Sequence, residues 1–203
     1  MNFFAIILAV MVSAVFVNNF ILVQFLGICP FLGVSKKTGS ALGMGVAVTL
    51  VMILATAICY PLYTYVLVPL DLGYLEIIFF IFIIAALVQM LENVIRKFTP
   101  ALYRTMGIYL PLITTNCAIL GVTELVIDEA QMLSTLGIES MNFGVALLYA
   151  LFAGIGFTIA IVLMSGLRER VDKLTVAKSF KGTPITLISA CFIAMAFYVF
   201  TLI

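Results

Sequence analysis

Two cysteines open the same short motif, one in each half of the chain. Residues 29–34 read Cys-Pro-Phe-Leu-Gly-Val and residues 117–122 read Cys-Ala-Ile-Leu-Gly-Val, so the pattern C-x-x-L-G-V occurs twice. Thiolates are ligands for soft metals and for iron–sulfur clusters. A single buried cysteine is usually a packing residue, but Cys29 and Cys117 form a symmetric pair. We therefore predict that both are metal ligands, with a disulfide as the structural alternative.

Two thiolates do not complete a metal site. Iron–sulfur clusters usually take four cysteines, and the chain has no histidine to replace one. The remaining cysteines, Cys59 and Cys191, lie outside the repeated motif and are predicted to pack. A cluster at Cys29 and Cys117 therefore requires further ligands from a second copy of this chain or from a similar chain.

The composition identifies the environment of these cysteines. The chain has 203 residues, of which 65% are hydrophobic and 9% charged, and its mean hydropathy is +1.32. Soluble domains are about half apolar and a quarter charged, so this is an integral membrane protein. The absence of histidine excludes His-ligated haem and zinc sites and Ser-His catalysis. The net charge of +1 argues against a nucleic-acid partner.

The charged residues divide the chain into six apolar segments. A bilayer core about 30 Å thick needs roughly 20 helical residues to cross it. The predicted spans are residues 3–34, 41–68, 75–91, 106–122, 143–164 and 185–203. We predict an all-α integral membrane protein with six transmembrane helices in a single membrane domain, residues 1–203.

The basic residues predict the orientation in the membrane. All ten follow spans one, three or five: Lys36, Lys37, Arg96, Lys97, Arg104, Arg168, Arg170, Lys173, Lys178 and Lys181. Short basic loops stay in the cytoplasm. Both termini are therefore predicted to face the exterior.

The cysteine motif predicts two inverted repeats of three helices, residues 1–98 and 99–203. Three spans are an odd number, so the second half must enter the membrane from the opposite side. Cys29 and Cys117 each lie seven residues before the first charge on their side of the membrane. A second match pairs Gly45-Val46-Ala47, expected to open span two, with Gly144-Val145-Ala146, expected to open span five. Inverted repeats build many transport proteins, with the functional site at the midplane.

The first span is too long for a straight crossing. Residues 3–34 would form about 48 Å of helix against a core of about 30 Å. Asn18-Asn19, and Gly27 with Pro30, are the expected break points. Residues 114–116, Thr-Thr-Asn, offer matching polarity before the second cysteine. We therefore predict that the first and fourth helices are interrupted near the cysteines and face a partner or a cavity.

Polar residues near these interruptions have two interpretations. Their oxygens could bind a cation, or their side chains could form hydrogen bonds between helices. They are Asn18, Asn19, Gln24, Thr114, Thr115 and Asn116. All nine acidic residues lie in loops or near span ends, so no buried carboxylate is predicted as an ion ligand.

Three long motifs carry a family resemblance. Residues 18–37 (NNFILVQFLGICPFLGVSKK), 110–122 (LPLITTNCAILGV) and 166–170 (GLRER) resemble the A subunits of Rnf ion-translocating electron-transport complexes. The resemblance runs over the whole chain. The E subunits of Na⁺-translocating NADH:quinone reductases share the same plan but resemble residues 18–37 less.

The resemblance implies a function for the cysteine pair. In that family the A subunit pairs with a similar E subunit, so Cys29 and Cys117 would supply half the ligands of a shared [2Fe–2S] cluster. The complex is a ferredoxin:NAD⁺ oxidoreductase of the bacterial or archaeal cell membrane that couples electron transfer to Na⁺ or H⁺ translocation. Flavins are expected only in its other subunits.

Two other functions remain open from the residues alone. The first is a stand-alone secondary transporter or channel with its site at the repeat interface, which would need no iron and no paralogous partner. The second is a structural membrane subunit whose cysteines only pack.

Overall fold

The regular structure of the described residues is entirely helical. A computed structural model describes residues 11–12, 14–15, 19–35, 38–70, 73–98, 112–113, 116–135, 143–171, 173 and 182–201. Its six main helices are α1 (Ile28–Val34), α2 (Thr38–Leu62), α3 (Glu76–Phe98), α4 (Cys117–Thr135), α5 (Phe143–Val171) and α6 (Thr183–Thr201). The prediction of an all-α fold is confirmed for this part of the chain.

Three helical segments are long and apolar enough to cross a bilayer. They are Thr38–Leu67, Gly73–Val94 and Phe143–Val171, and a shorter apolar helix covers Thr183–Tyr198. These segments correspond to predicted spans two, three, five and six. Residues 106–111 and 114–115 of predicted span four, and residues 3–10, 13 and 16–18 of span one, lie outside the described residues. The total of six spans and their inverted arrangement therefore stay predictions.

Helix α2 continues through a π-helical turn, Tyr63–Leu67, and a last α turn, Val68–Leu70. The π turn begins two residues after Pro61, which lies inside the helix. Proline has no N–H to donate and its ring crowds the carbonyl four residues earlier, so the hydrogen-bond ladder is disturbed. The Val68 N–H accordingly donates to the Tyr63 carbonyl, five residues back. The predicted second span is thus one continuous helical segment with a local change of register.

Two helices extend beyond the ends predicted from charge. Helix α4 runs to Thr135 although span four is predicted to end at residue 122, and α5 runs to Val171 rather than 164. Residues 122–135 contain neither Gly nor Pro, and a charged side chain does not by itself end a helix. Arg168 and Arg170 in the last turn of α5 also interact favourably with the negative end of its dipole.

The start of α2 is also earlier than predicted. The helix begins at Thr38, so residues 45–47 lie two turns inside it, whereas residues 144–146 stand in the first turn of α5. The two matching triplets therefore occupy different positions in their helices.

The chain packs as two units that do not follow the two halves of the sequence. One unit contains residues 1–47 and 152–203, and the other contains residues 48–151. The first includes predicted spans one and six, and the second includes spans three and four. The predicted repeat pairs span one with four and six with three, so this composition is consistent with two equivalent units. The division into repeats at residues 98 and 99 stays a prediction.

In the first unit, α2 and α5 contact each other through small residues. A methyl carbon placed on Gly45 of α2 would stand 2.6 Å from Cγ2 of Thr158 on α5. A methyl carbon placed on Gly156 of α5 would stand 3.2 Å from the Cα of Val15, which precedes α1. Close backbone approach at small residues is typical of membrane helices, because lipid provides no hydrophobic force to bring helices together.

In the second unit, the core is built around a buried cysteine. Cys59, Phe80 and Ile127 are fully or almost fully buried and pack together, with Tyr63, Ile83 and Leu120 around them. The Tyr63 and Phe80 rings meet edge to face at 6.5 Å between centroids. Cys59 therefore has the packing role that the sequence predicts.

Gly45→Ala is expected to lower the thermal stability of the detergent-solubilised protein. The added methyl group would overlap Thr158, and overpacking of this kind costs about 1–3 kcal/mol. Gly39→Ala is the matched control on the same helix, because no described atom lies within 4 Å of the new methyl group. Equal unfolding midpoints for the two variants would contradict the close contact between α2 and α5.

Candidate functional site

The segment before the first cysteine is non-helical and is organised by Asn19. Residues 19–27 form turns and a bend. The Asn19 side-chain oxygen accepts hydrogen bonds from the N–H groups of Ile21 and Leu22, each at 3.2 Å. The Asn19 carbonyl accepts from the N–H groups of Val23 and Gln24 at 3.0 and 3.3 Å. One buried residue thus satisfies four backbone donors of the segment, which is what non-helical backbone in a membrane protein requires.

The amide nitrogen of Asn19 connects this segment to α5. It donates to the Val15 carbonyl at 3.1 Å and to the Gly156 carbonyl at 3.3 Å. Asn19 is only 1% exposed. Of the two interpretations given to Asn19, hydrogen bonding between helices therefore describes it, because both polar atoms of its side chain are already engaged.

Cys29 lies in the first turn of α1, next to a glycine that sets the start of the helix. Gly27 is the N-cap residue and has the left-handed conformation, with φ 79° and ψ 27°. Glycine adopts this conformation at little cost because it has no Cβ. Pro30 is tolerated beside Cys29 because an N–H in the first turn has no partner within the helix. The Phe31 N–H, at 3.3 Å from the Gly27 carbonyl, makes the first helical hydrogen bond.

Cys117 is the first residue of α4, and Asn116 caps that helix. The Asn116 side-chain oxygen accepts a hydrogen bond from the Ala118 N–H at 3.1 Å, and its carbonyl accepts from the Ile119 N–H at 3.1 Å. Asparagine is among the preferred N-cap residues for this reason. The side-chain oxygen is occupied by the cap, which leaves less capacity for a cation. Of the other candidate cation ligands, Gln24 is half-buried, and Asn18, Thr114 and Thr115 lie outside the described residues.

The two copies of the motif have nearly the same local structure. Each lies at the N-terminus of a helix and begins with an exposed cysteine. The second, third and sixth residues are buried in both copies and the fourth is half-buried in both. Only the fifth differs, since Gly33 is exposed and Gly121 half-buried. The repetition noticed in the sequence is therefore also a repetition of secondary structure and burial.

The setting of Cys29 and Cys117 differs from that of the other two cysteines. The N-terminus of a helix stabilises negative charge and lowers the free energy of a thiolate. None of the four cysteines, all of which the structure describes, forms a disulfide. Cys59 is buried, whereas Cys191 lies exposed on α6 beside an apolar groove. Cys29 and Cys117 thus combine exposure with a helix N-terminus.

The described part of the chain does not contain a complete metal site. Among those residues there is no group of three or more His, Cys, Asp or Glu side chains that could hold a metal ion. The donor set still fits an iron–sulfur cluster in part, because both cysteines present exposed thiols and cysteine thiolates are the usual cluster ligands. Within the described residues, Cys29 and Cys117 therefore have no third ligand beside them.

The far end of the cysteine helix is held by a residue for which the sequence indicates no contact with that helix. Arg168 on α5 donates from Nη1 to the Leu32 carbonyl at 2.8 Å and to Ser35 Oγ at 3.0 Å. Leu32 is in the last turn of α1 and Ser35 is its C-cap residue. In the sequence, Arg168 is one of the ten basic residues that predict the orientation. No sequence signal indicates the contact, because its partners are more than 130 positions away.

Comparison with known proteins places these features in a family context. Residues 7–203 match the family model described as "Rnf-Nqr subunit, membrane protein". The chain is 53% identical over 192 residues, 95% of each chain, to the A subunit of the Na(+)-translocating ferredoxin:NAD(+) oxidoreductase complex of Acetobacterium woodii. It is 49% identical over 191 residues, 94% of each chain, to the A subunit of the ion-translocating oxidoreductase complex of Syntrophotalea carbinolica. The protein of that name from Sodalis glossinidius is 47% identical over 194 residues, covering 96% of this chain and 95% of its own.

Gly27→Ala is expected to destabilise the start of α1. An L-residue in the left-handed conformation costs about 1–2 kcal/mol, and Gly27 has φ 79°. The variant should unfold at a lower temperature in detergent. Gly33→Ala is the control, because Gly33 lies exposed within the same helix and alanine favours helix over glycine by about 1 kcal/mol. A Gly27→Ala protein as stable as the Gly33→Ala protein would contradict this account.

Proposed function

This chain belongs to the Rnf-Nqr family of membrane subunits, and on that premise we propose that it is the A-type subunit of an ion-translocating ferredoxin:NAD⁺ oxidoreductase complex. The similar identity and coverage of three relatives, all named as A subunits, support this assignment. The protein then acts within a redox-driven ion translocase of the cell membrane and has no enzymatic activity alone.

Within that complex, Cys29 and Cys117 each supply one thiolate to a [2Fe–2S] cluster that a similar subunit, the E-type paralogue, completes. The observation that carries this proposal is the shared setting of the two cysteines, each exposed in the first turn of a helix with the same burial pattern behind it. The lack of a third ligand within reach in the described residues supports a shared site. When bound, the cluster supplies a one-electron step.

The chain's own residues contribute position, charge stabilisation and insulation. The N-terminal ends of α1 and α4 place backbone N–H groups beside the two cysteines, where the negative charge of a bound group is favoured. The buried residues that follow each cysteine, such as Phe31 and Ile119, keep water from the inner side of each site. A redox centre located within an apolar core about 30 Å thick divides the distance over which an electron must be transferred.

Coupling to ion movement follows from charge. A reduced cluster held by Cys29 and Cys117 would add negative charge at the first turns of α1 and α4, next to the positive ends of the two helix dipoles. We propose that this change biases the side of the membrane from which Na⁺ or H⁺ gains access, as expected for transport proteins that alternate around a fixed site. Cys29 and Cys117 are thus common to electron transfer and ion transport.

Cys29→Ser and Cys117→Ser complexes should each lose the intramembrane [2Fe–2S] signal in electron paramagnetic resonance, together with at least tenfold of the ferredoxin:NAD⁺ activity. The reason is that a cluster lacking one thiolate is not held stably. Cys191→Ser is the matched control, since that cysteine is also exposed but lies in the middle of a helix. Iron and sulfide content measures occupancy independently. Retention of the signal in a Cys29→Ser, Cys117→Ser double variant would refute the ligand assignment.

Redox-driven ion uptake should disappear in vesicles that contain the Cys29→Ser complex. Uptake is followed in parallel with ²²Na⁺ and with a pH-sensitive dye, so that either coupling ion is detected. Cys191→Ser vesicles should retain uptake. Ion uptake at the normal rate in cluster-free vesicles would disprove the proposed coupling and would favour a stand-alone transporter.

A further inference from the structure

We propose that Arg168 is the positioning residue for Cys29, acting with Glu169 as a clamp on the end of α1 and the start of α2. This inference rests on the proposed function, because it assigns the clamp to the helix that carries a cluster ligand. Both residues lie in the motif at residues 166–170, but the sequence gives neither of them a role at the cysteines.

The first half of the clamp supplies a cation that α1 lacks. Helix α1 has seven residues and no basic side chain in its last turn, so its terminal carbonyls receive no cation from the helix itself. Arg168 Nη1 binds there, at 2.8 Å from the Leu32 carbonyl and 3.0 Å from Ser35 Oγ. A positive charge at the C-terminus of a helix stabilises it, and a hydrogen bond from a charged donor is stronger than a neutral one.

The second half supplies an anion that α2 lacks. Helix α2 has no acidic residue in its first turn. Glu169 Oε1 accepts hydrogen bonds from Thr38 at the first position of α2, from the N–H at 3.4 Å and from Oγ1 at 2.8 Å. Ser165 Oγ, one turn earlier on α5, is 3.5 Å from Thr38 Oγ1. Arg168 therefore supplies the positive charge that the end of α1 lacks, and Glu169 supplies the negative charge that the start of α2 lacks.

The position of Cys29 depends on this contact because α1 is too short to be stable alone. Isolated helices below about 12 residues are marginal in water, so α1 depends on tertiary contacts, which are its buried side chains and the bonds at its ends. Leu32, whose carbonyl accepts the Arg168 bond, lies three residues after Cys29, on the next turn of the same helix. Releasing that carbonyl removes a fixed point one turn from the thiol.

The burial of Arg168 is not explained by a role in membrane orientation alone. Its guanidinium is part-buried, and its Nε is buried with no hydrogen-bond partner among the described residues. Burial of a charged group is costly, and a basic residue that only marks the cytoplasmic side would avoid it by remaining in water. Arg170, two residues further on, is exposed and suits that simpler role. The bonds to α1 account for the burial of Arg168.

The test compares Arg168→Gln with Arg170→Gln in the intact complex. Both remove one positive charge from the last turn of α5, but only the first removes the bonds to Leu32 and Ser35. For Arg168→Gln we expect at least a twofold loss of [2Fe–2S] signal per complex. In the clusters that remain, the midpoint potential should be more negative, because a nearby positive charge is lost. Arg168→Lys, which keeps the charge and can donate to the Leu32 carbonyl, should restore at least part of the signal and of the potential.

Signal amplitude and midpoint potential for Arg168→Gln that equal those of Arg170→Gln would overturn the proposal. If the Arg168→Gln complex does not assemble, Ser35→Ala decides, since it removes one of the two acceptors in a buried position without removing charge. A partial loss of the [2Fe–2S] signal in the Ser35→Ala complex, relative to the unsubstituted complex, supports the clamp. An unchanged spectrum overturns it. The Cys29→Ser complex tests the proposed function separately from the role of Arg168. A cluster signal that persists in this complex refutes the proposed function. If Cys29→Ser abolishes the signal and Arg168→Gln leaves it unchanged, only the positioning role fails.

Discussion

A chain in lipid must satisfy its backbone hydrogen bonds internally, and the structure around Cys29 depends on this constraint. Residues 19–27 are not helical, so they cannot use the repeating bonds that make membrane helices stable. Asn19 replaces those bonds by accepting from four backbone N–H groups of the segment. Without such a residue, an unwound segment in an apolar protein would leave donors unpaired at a cost of about 1–3 kcal/mol each.

Helix α5 provides the frame for both ends of this region. Gly156 accepts a hydrogen bond from Asn19 through its carbonyl and, lacking a side chain, lets the backbone at Val15 approach. Twelve residues further along, or about 18 Å of helix, Arg168 binds the end of α1. The cysteine helix is therefore fixed before and after by one long helix. A frame of this kind keeps Cys29 in one position, as the proposed ligand role requires.

The two helices that carry the cysteines begin in the same way but differ in length. Both stand in the first turn of a helix with a buried apolar face behind them. Helix α1 then ends after seven residues against Arg168, whereas α4 continues to Thr135. Equivalent cysteine positions on helices of unequal length are compatible with the duplicated motif, since the burial pattern matches only over the motif itself. Family membership gives this pair its functional context.

The sequence by itself determined the membrane class, four apolar helices (three of them long enough to cross a bilayer), the cysteine motif and the family, because hydrophobic length and short motifs are local properties. The sequence predicted a break at Gly27 with Pro30 and matching polarity at residues 114–116, and helices α1 and α4 begin directly after Gly27 and Asn116. The extension of α4 and α5 past charged residues was not predictable from charge, which does not end a helix. Only the tertiary structure decided the division into two packing units, the bond from Asn19 to Gly156 and the contact of Arg168 with α1. These bonds join residues 133–137 positions apart, so they depend on which helices pack together, and a pattern read along one stretch of chain does not contain that information.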